Sequence, residues 1–127
     1  MFKDTKAFSS FSVDDLQKAK QFYGETLGLA VVERPEGLEL HIAGSTPVFI
    51  YPSPNYTPPK HTVLNFPVED IEAAVDELAR RGVTMEQYDL PEIKTDAKGI
   101  FRGDEGPRAI AWFKDPADHV LSVLEAD

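Results

Sequence analysis

The sequence has no cysteine, a single tryptophan and only two methionines in 127 residues. Without cysteine there is no disulfide framework, no thiolate metal site and no thiol nucleophile. Long apolar runs are missing too: no stretch approaches the roughly 20 residues needed to span a bilayer. The first ten residues, MFKDTKAFSS, lack the apolar core and small-residue cleavage site of a secretory signal. The expected setting is the cytoplasm. Positive charge is scarce, with 13 Lys and Arg against 22 Asp and Glu and a formal net charge of −9. A phosphate-backbone reader needs the opposite balance, so nucleic acid is not expected as a partner, nor is a membrane, for want of an apolar run.

What is present is an ordinary globular composition, 42% hydrophobic and 28% charged, enough for one domain with a real core. Its clearest feature is an internal echo. FSVDDLQKAK at residues 11–20 returns as FPVEDIEAAV at residues 66–75, and Phe11, Val13, Asp15, Leu16 and Ala19 each have a counterpart 55 positions later. Leu16, Ala19, Phe22, Tyr23 and Leu27 have helical spacing, as do Ile71, Ala74, Val75 and Leu78. Asp14 with Gln17, and Glu69 with Glu72, read as capping arrangements, while Gly28 and Gly82 stand where a left-handed helix stop belongs.

Each helical pattern follows a strand-like stretch, AFSSFSV or HTVLNFPV, and precedes three more. In the first half these are LAVVER, LELHIA and PVFIYP. In the second they are VTMEQYDL, RAIAWFK and HVLSVLE, the last two joined across DPAD. The expected fold is therefore α+β, two tandem βαβββ modules. Module 1 covers about 5–52, a proline-rich connector 53–60, and module 2 61–127. Residues 92–106 are mostly polar and read either as a lid or as a mobile loop.

The phrase Val13-Asp14-Asp15-Leu16, continued by Ala19, Phe22-Tyr23 and Leu27-Gly28-Leu29, resembles the vicinal oxygen chelate superfamily. So does Phe113-Lys114-Asp115-Pro116 through Ser122 at the end of the chain. That group includes glyoxalase I, bleomycin resistance proteins and extradiol dioxygenases. The resemblance implies two curved, mostly antiparallel sheets enclosing a cavity, commonly in a homodimer. It also implies a divalent ion, where one is used, held by four His, Glu or Gln side chains on the first and last strands of each module, and polarising a substrate's neighbouring oxygens.

Carried across residue by residue, those four positions fall on Phe8, Ile50, Val63 and Ser122. None is such a ligand, and no metal or other cofactor is expected. The reading is a metal-independent binder of a small organic molecule in an apolar cavity; the alternative is a glyoxalase-type lyase or isomerase working without metal or with a displaced ion. Strand alternation puts Phe8, Ser10, Ile50, His61, Val63, Asn65 and Ser122 on the cavity face, with Phe113 beside them across the hairpin and Trp112 on the helix side. His61 is the one candidate for catalysis, as a hydrogen-bond donor or a base. Arg102 and Arg108 flank the polar loop as possible anion contacts, or as solvated side chains.

Overall fold

In a computed structural model, residues 1–103 and 108–125 are described. The chain divides into two compact units, Met1–Pro58 and Pro59–Asp127, and the boundary falls in the proline-rich connector.

The first unit runs β1 (Ser10–Val13), α1 (Leu16–Gln21), β2 (Ala30–Arg34), β3 (Gly37–His41) and β4 (Val48–Pro52). Between α1 and β2 the helix widens into a π-type turn, Phe22–Thr26, in which the Leu27 N–H donates to the Phe22 carbonyl. The helical spacing seen in the sequence through Leu27 therefore continues in space, but as a looser coil. Its ring Tyr23 is fully buried, 6.1 Å from Phe11 and 5.1 Å from Phe22. The sheet order is β1-β4-β3-β2, parallel between β1 and β4 and antiparallel elsewhere.

The second unit repeats the plan. It has β5 (Thr62–Pro67), α2 (Ile71–Arg80), β6 (Ile100–Phe101), β7 (Ala109–Lys114) and β8 (Val120–Glu125), ordered β5-β8-β7-β6 with β5 and β8 parallel. Two four-stranded sheets, each with one helix, give the α+β class and the tandem arrangement that the repeat implies.

One strand is not where the sequence places it. The backbone of VTMEQYDL meets β7 through a bridge from Met85 to Phe113 and the Glu86 N–H donating to the Trp112 carbonyl, without forming a strand of the sheet. It then turns back in a small loop closed by an Asp89–Lys94 bridge. The edge position goes instead to Ile100–Phe101, inside the stretch read as irregular; its residues 104–106 lie outside the described residues. Gly99 makes the exchange possible. Its φ is +84°, and a Cβ there would sit 2.9 Å from both the Glu86 carbonyl oxygen and the Met85 Cβ. Only glycine lets the chain pass so close behind residues 85 and 86.

The helix starts also shift by one residue. Asp15 and Asp70 are the caps, both in extended backbone, in place of Asp14 and Glu69. Asp15 accepts from the Gln17 and Lys18 N–H groups, and Asp70 from that of Ala73. The helix stops fall as expected, with Gly28 at φ +73° and Gly82 at φ +88°.

Candidate functional site

Each sheet has a face packed under its helix and a far face. In the first unit Val13, Leu38, Leu40, Val48 and Ile50 are buried on the helix side. Ser10 pairs with Phe49, Phe11 with Ile50, and Ser12 with Tyr51. Ile50 is therefore not on the face with Ser10. It shares the helix side with Phe11, while Phe49 and Tyr51 occupy the far face. A one-residue difference in register reverses every side chain, and VFIYP offers no polar residue to mark its faces.

The far face of the first unit carries two features. Phe49 and Tyr51 stack with centroids 6.3 Å apart at 18°. Beside them Phe8, Pro47 and Phe49, with Lys6, Arg34 and Glu39 at the rim, line an open concavity of about 540 Å³. Phe8 is 65% exposed. Arg34 donates from Nε to Glu39 Oε2 at 2.8 Å, and His41 Nε2 lies 3.0 Å from Glu39 Oε1. The Arg34 hydrogen bond, helped by His41, holds the Glu39 carboxyl below the usual carboxylate range and raises Arg34 in turn. Arg34 and Glu39 thus neutralise one another beside the rings, which suits a largely apolar occupant.

In the second unit Leu64, Phe66, Leu121 and Val123 fall on the helix side, as alternation requires. Asn65 lies directly opposite Ser122, and the Ser122 hydroxyl donates to Asn65 Oδ1 at 2.6 Å. These two sequence-selected residues do meet. Val63 sits at a bulge between Thr62 and Leu64, half-buried, and His61 is exposed at the strand's entry.

Phe113 is a correction. β7 and β8 pair Lys114 with Val120, Phe113 with Leu121 and Trp112 with Ser122. Phe113 is 1% exposed on the helix side, and Trp112 takes the far-face position beside Ser122. The cause is the turn. Asp115 caps it, its carboxylate accepting from the backbone N–H groups of Ala117 and His119 while the His119 ring lies 3.1 Å away; Asp118 takes φ +68°. A closed Asp115–His119 loop sets the register one residue away from the expectation read off DPAD. The buried Asp115 and His119 pair was the missed signal, since a carboxylate four residues before a histidine within a turn is a local capping pattern.

Trp112 gathers the site that the sequence reading overlooked. Its ring lies 5.5 Å from Tyr88, edge-on at 78°, and 6.4 Å from Phe101 at 31°. Phe101 pairs with Ile110 and so shares the far face with Trp112. Trp112, with Tyr88 and Phe101 around it, thus stands across from Ser122 of the bonded Ser122 and Asn65 pair. Arg108, in contrast, donates to Glu125 Oε1 at 2.8 Å and serves the Glu125 carboxylate.

The residues at the four positions that the family resemblance reserves for metal ligands do not fit a metal site. Phe8, Val63 and either Ile50 or its far-face neighbour Phe49 carry no donor atom, and the Ser122 hydroxyl is already committed to Asn65. Among the described residues, no three His, Cys, Asp or Glu side chains gather as a metal site would require. None of the described helices is long and apolar enough to cross a membrane.

No curated protein matches this chain in sequence. Solved structures do. A glyoxalase family protein from Enterococcus faecalis is 24% identical, with a TM-score of 0.69 over 98% of this chain and 100% of its own. A glyoxalase/bleomycin resistance protein/dioxygenase from Alicyclobacillus acidocaldarius is 17% identical, with a TM-score of 0.69 over 97% of this chain and 92% of its own. An antibiotic binding protein from a Streptomyces species is 22% identical, with a TM-score of 0.63 over 98% of each chain. At these identities the likeness is one of fold. The model of one family matches residues 8–123, nearly the whole chain, so this protein belongs to the Glyoxalase/Bleomycin resistance protein/Dioxygenase superfamily.

Proposed function

We propose that this protein binds a small planar organic molecule on its far sheet faces, without a metal ion and without converting the ligand. The observation that carries the reading is the ring cluster of Trp112, Tyr88 and Phe101 beside the Asn65 and Ser122 pair. Aromatic surface with a few fixed polar groups is what a ligand site needs, because apolar contact supplies affinity and the polar groups supply orientation. The apolar concavity at Phe8 and Phe49 supports the same reading in the first unit. That a Streptomyces protein of this fold is an antibiotic binding protein adds a relative whose role is binding. A homodimer in the cytoplasm completes the proposal.

The test uses the single tryptophan. A panel of two- and three-ring aromatic compounds is titrated against Trp112 fluorescence, and any ligand is recovered and weighed by mass spectrometry. Saturable quenching with unchanged ligand supports binding. Turnover, or a stoichiometric divalent metal found by elemental analysis of the purified protein, overturns the reading and favours the glyoxalase-type alternative, with His61 or a displaced ion as the reacting group.

A further inference from the structure

Ser122 is completely buried, and its hydroxyl has one partner among the described residues, the Asn65 carboxamide at 2.6 Å. This contact decides which way the carboxamide points. A buried hydroxyl needs an acceptor for its proton, and Oδ1 is the acceptor end of an asparagine. Turning the carboxamide over would set Nδ2–H against Ser122 Oγ and leave the serine proton with nothing to bond, so the flip that is often ambiguous elsewhere is determined here. Asn65 itself is exposed. Its Oδ1 is held inward, and both N–H donors of Nδ2 are turned out onto the far face with no protein acceptor among the described residues.

Across the sheet the register runs Asn65, Ser122, Trp112, on three adjacent strands. Neighbouring strands are about 4.8 Å apart, so Asn65 and Trp112 stand on the order of 10 Å apart with the small serine as a floor between them. A molecule of two fused rings spans that distance when its rings lie against Trp112. The oxygen that meets Asn65 is a neutral one. The cation on this face of β7, Lys114, is already 3.6 Å from Glu86, and the chain as a whole carries a net charge of −9, which disfavours a carboxylate.

We infer that Asn65 is the specificity-determining donor of this site, giving a hydrogen bond to the neutral carbonyl oxygen of a planar aromatic molecule stacked on Trp112. This deepens the ligand-binding reading and rests on it.

Coumarin and naphthalene make the test, since both are planar two-ring molecules and only coumarin has the carbonyl. Affinities are read from Trp112 fluorescence, and the Asn65 side-chain amide is followed by ¹H–¹⁵N NMR. The wild-type protein binds coumarin about tenfold more tightly than naphthalene, the value of one well-placed hydrogen bond. Asn65→Asp keeps the acceptor for Ser122 and removes the outward donors; it abolishes the coumarin advantage and leaves naphthalene affinity within about twofold. Coumarin, and not naphthalene, shifts the Asn65 amide resonances. Equal wild-type affinities, or an unmoved Asn65 amide in the coumarin complex, overturn the role of Asn65 while leaving the Trp112 platform standing. If neither probe binds, the platform fails and the Asn65 inference with it. Should Asn65→Asp not fold, the wild-type affinities and amide shifts decide.

Discussion

The two units answer the same packing problem in the same way and then part company on the other side of the sheet. Under the helices, Val48 and Leu40 in the first unit correspond to Leu121 and Phe113 in the second, all buried and apolar. On the far face, the place held by Ser10 beside Phe49 in one unit is held by Asn65 beside Ser122 in the other. The first unit carries its rings on the strand next to β1, as Phe49 and Tyr51. The second leaves that strand small at Ser122 and moves the ring one strand further, to Trp112. Burial constrains one face to repeat, whereas the other is free to acquire a chemistry of its own.

The largest effect expected from breaking this comparison is truncation on the helix side. Phe113→Ala lowers unfolding free energy by about 3–5 kcal/mol and Ile50→Ala by about 2–5 kcal/mol, the usual cost of emptying a packed core position. Trp112→Ala and Phe49→Ala, one residue away on the half-buried far face, cost less than half as much and change ligand response instead. Urea denaturation of the four variants reads the difference. Equal losses within either neighbouring pair would show that the faces are misassigned.

Smaller effects separate the helix starts. Asp15 satisfies two backbone N–H groups at the head of α1. Asp70 satisfies one on α2, where β8 supplies a second acceptor, Glu125, to the Ile71 N–H at 2.6 Å. Within the range of about 0.5–2 kcal/mol for losing a cap, Asp15→Ala falls at the upper end and Asp70→Ala at the lower. Thermal or urea unfolding checks the order.

The smallest difference is one that acid removes. The Ile71 N–H, and then Arg108, hold the Glu125 carboxyl below its ordinary value of 4.5. A carboxylate depressed in the folded state stabilises fully above its unfolded value, and that stability fades as pH falls through the folded value. Glu125→Gln can still accept from Ile71 but cannot carry charge. The melting-temperature gap between wild type and this variant should be constant above about pH 5.5 and shrink below pH 4.5. A gap that widens in acid contradicts the assignment.

Much of this was legible in the residues. The 55-residue echo gave both helices and both leading strands, and the polar Asn65 and Ser122, set among apolar neighbours, marked their own face. Where the signal failed, it failed for a reason. VFIYP and AIAWFK are apolar at nearly every position, so a period of two has nothing to alternate with, and Ile50 and Phe113 were set on the wrong side. Asp14 and Asp15 are equally good caps by type, and only the backbone distinguishes them. VTMEQYDL has strand propensity, but the edge of β7 is taken by Ile100–Phe101, a pairing over a distance no local pattern records.

The closed turn from Asp115 to His119 has a consequence for how such a protein can change. Substitution on β7 alters one side chain at a time, whereas deleting a single residue from this turn would exchange the two surfaces of the strand together, sending Trp112 into the core and Phe113 out of it. The buried carboxylate that binds the Ala117 and His119 backbone therefore protects more than local stability. It keeps the length of the chain here from drifting, and with it the identity of the surface proposed to meet a ligand.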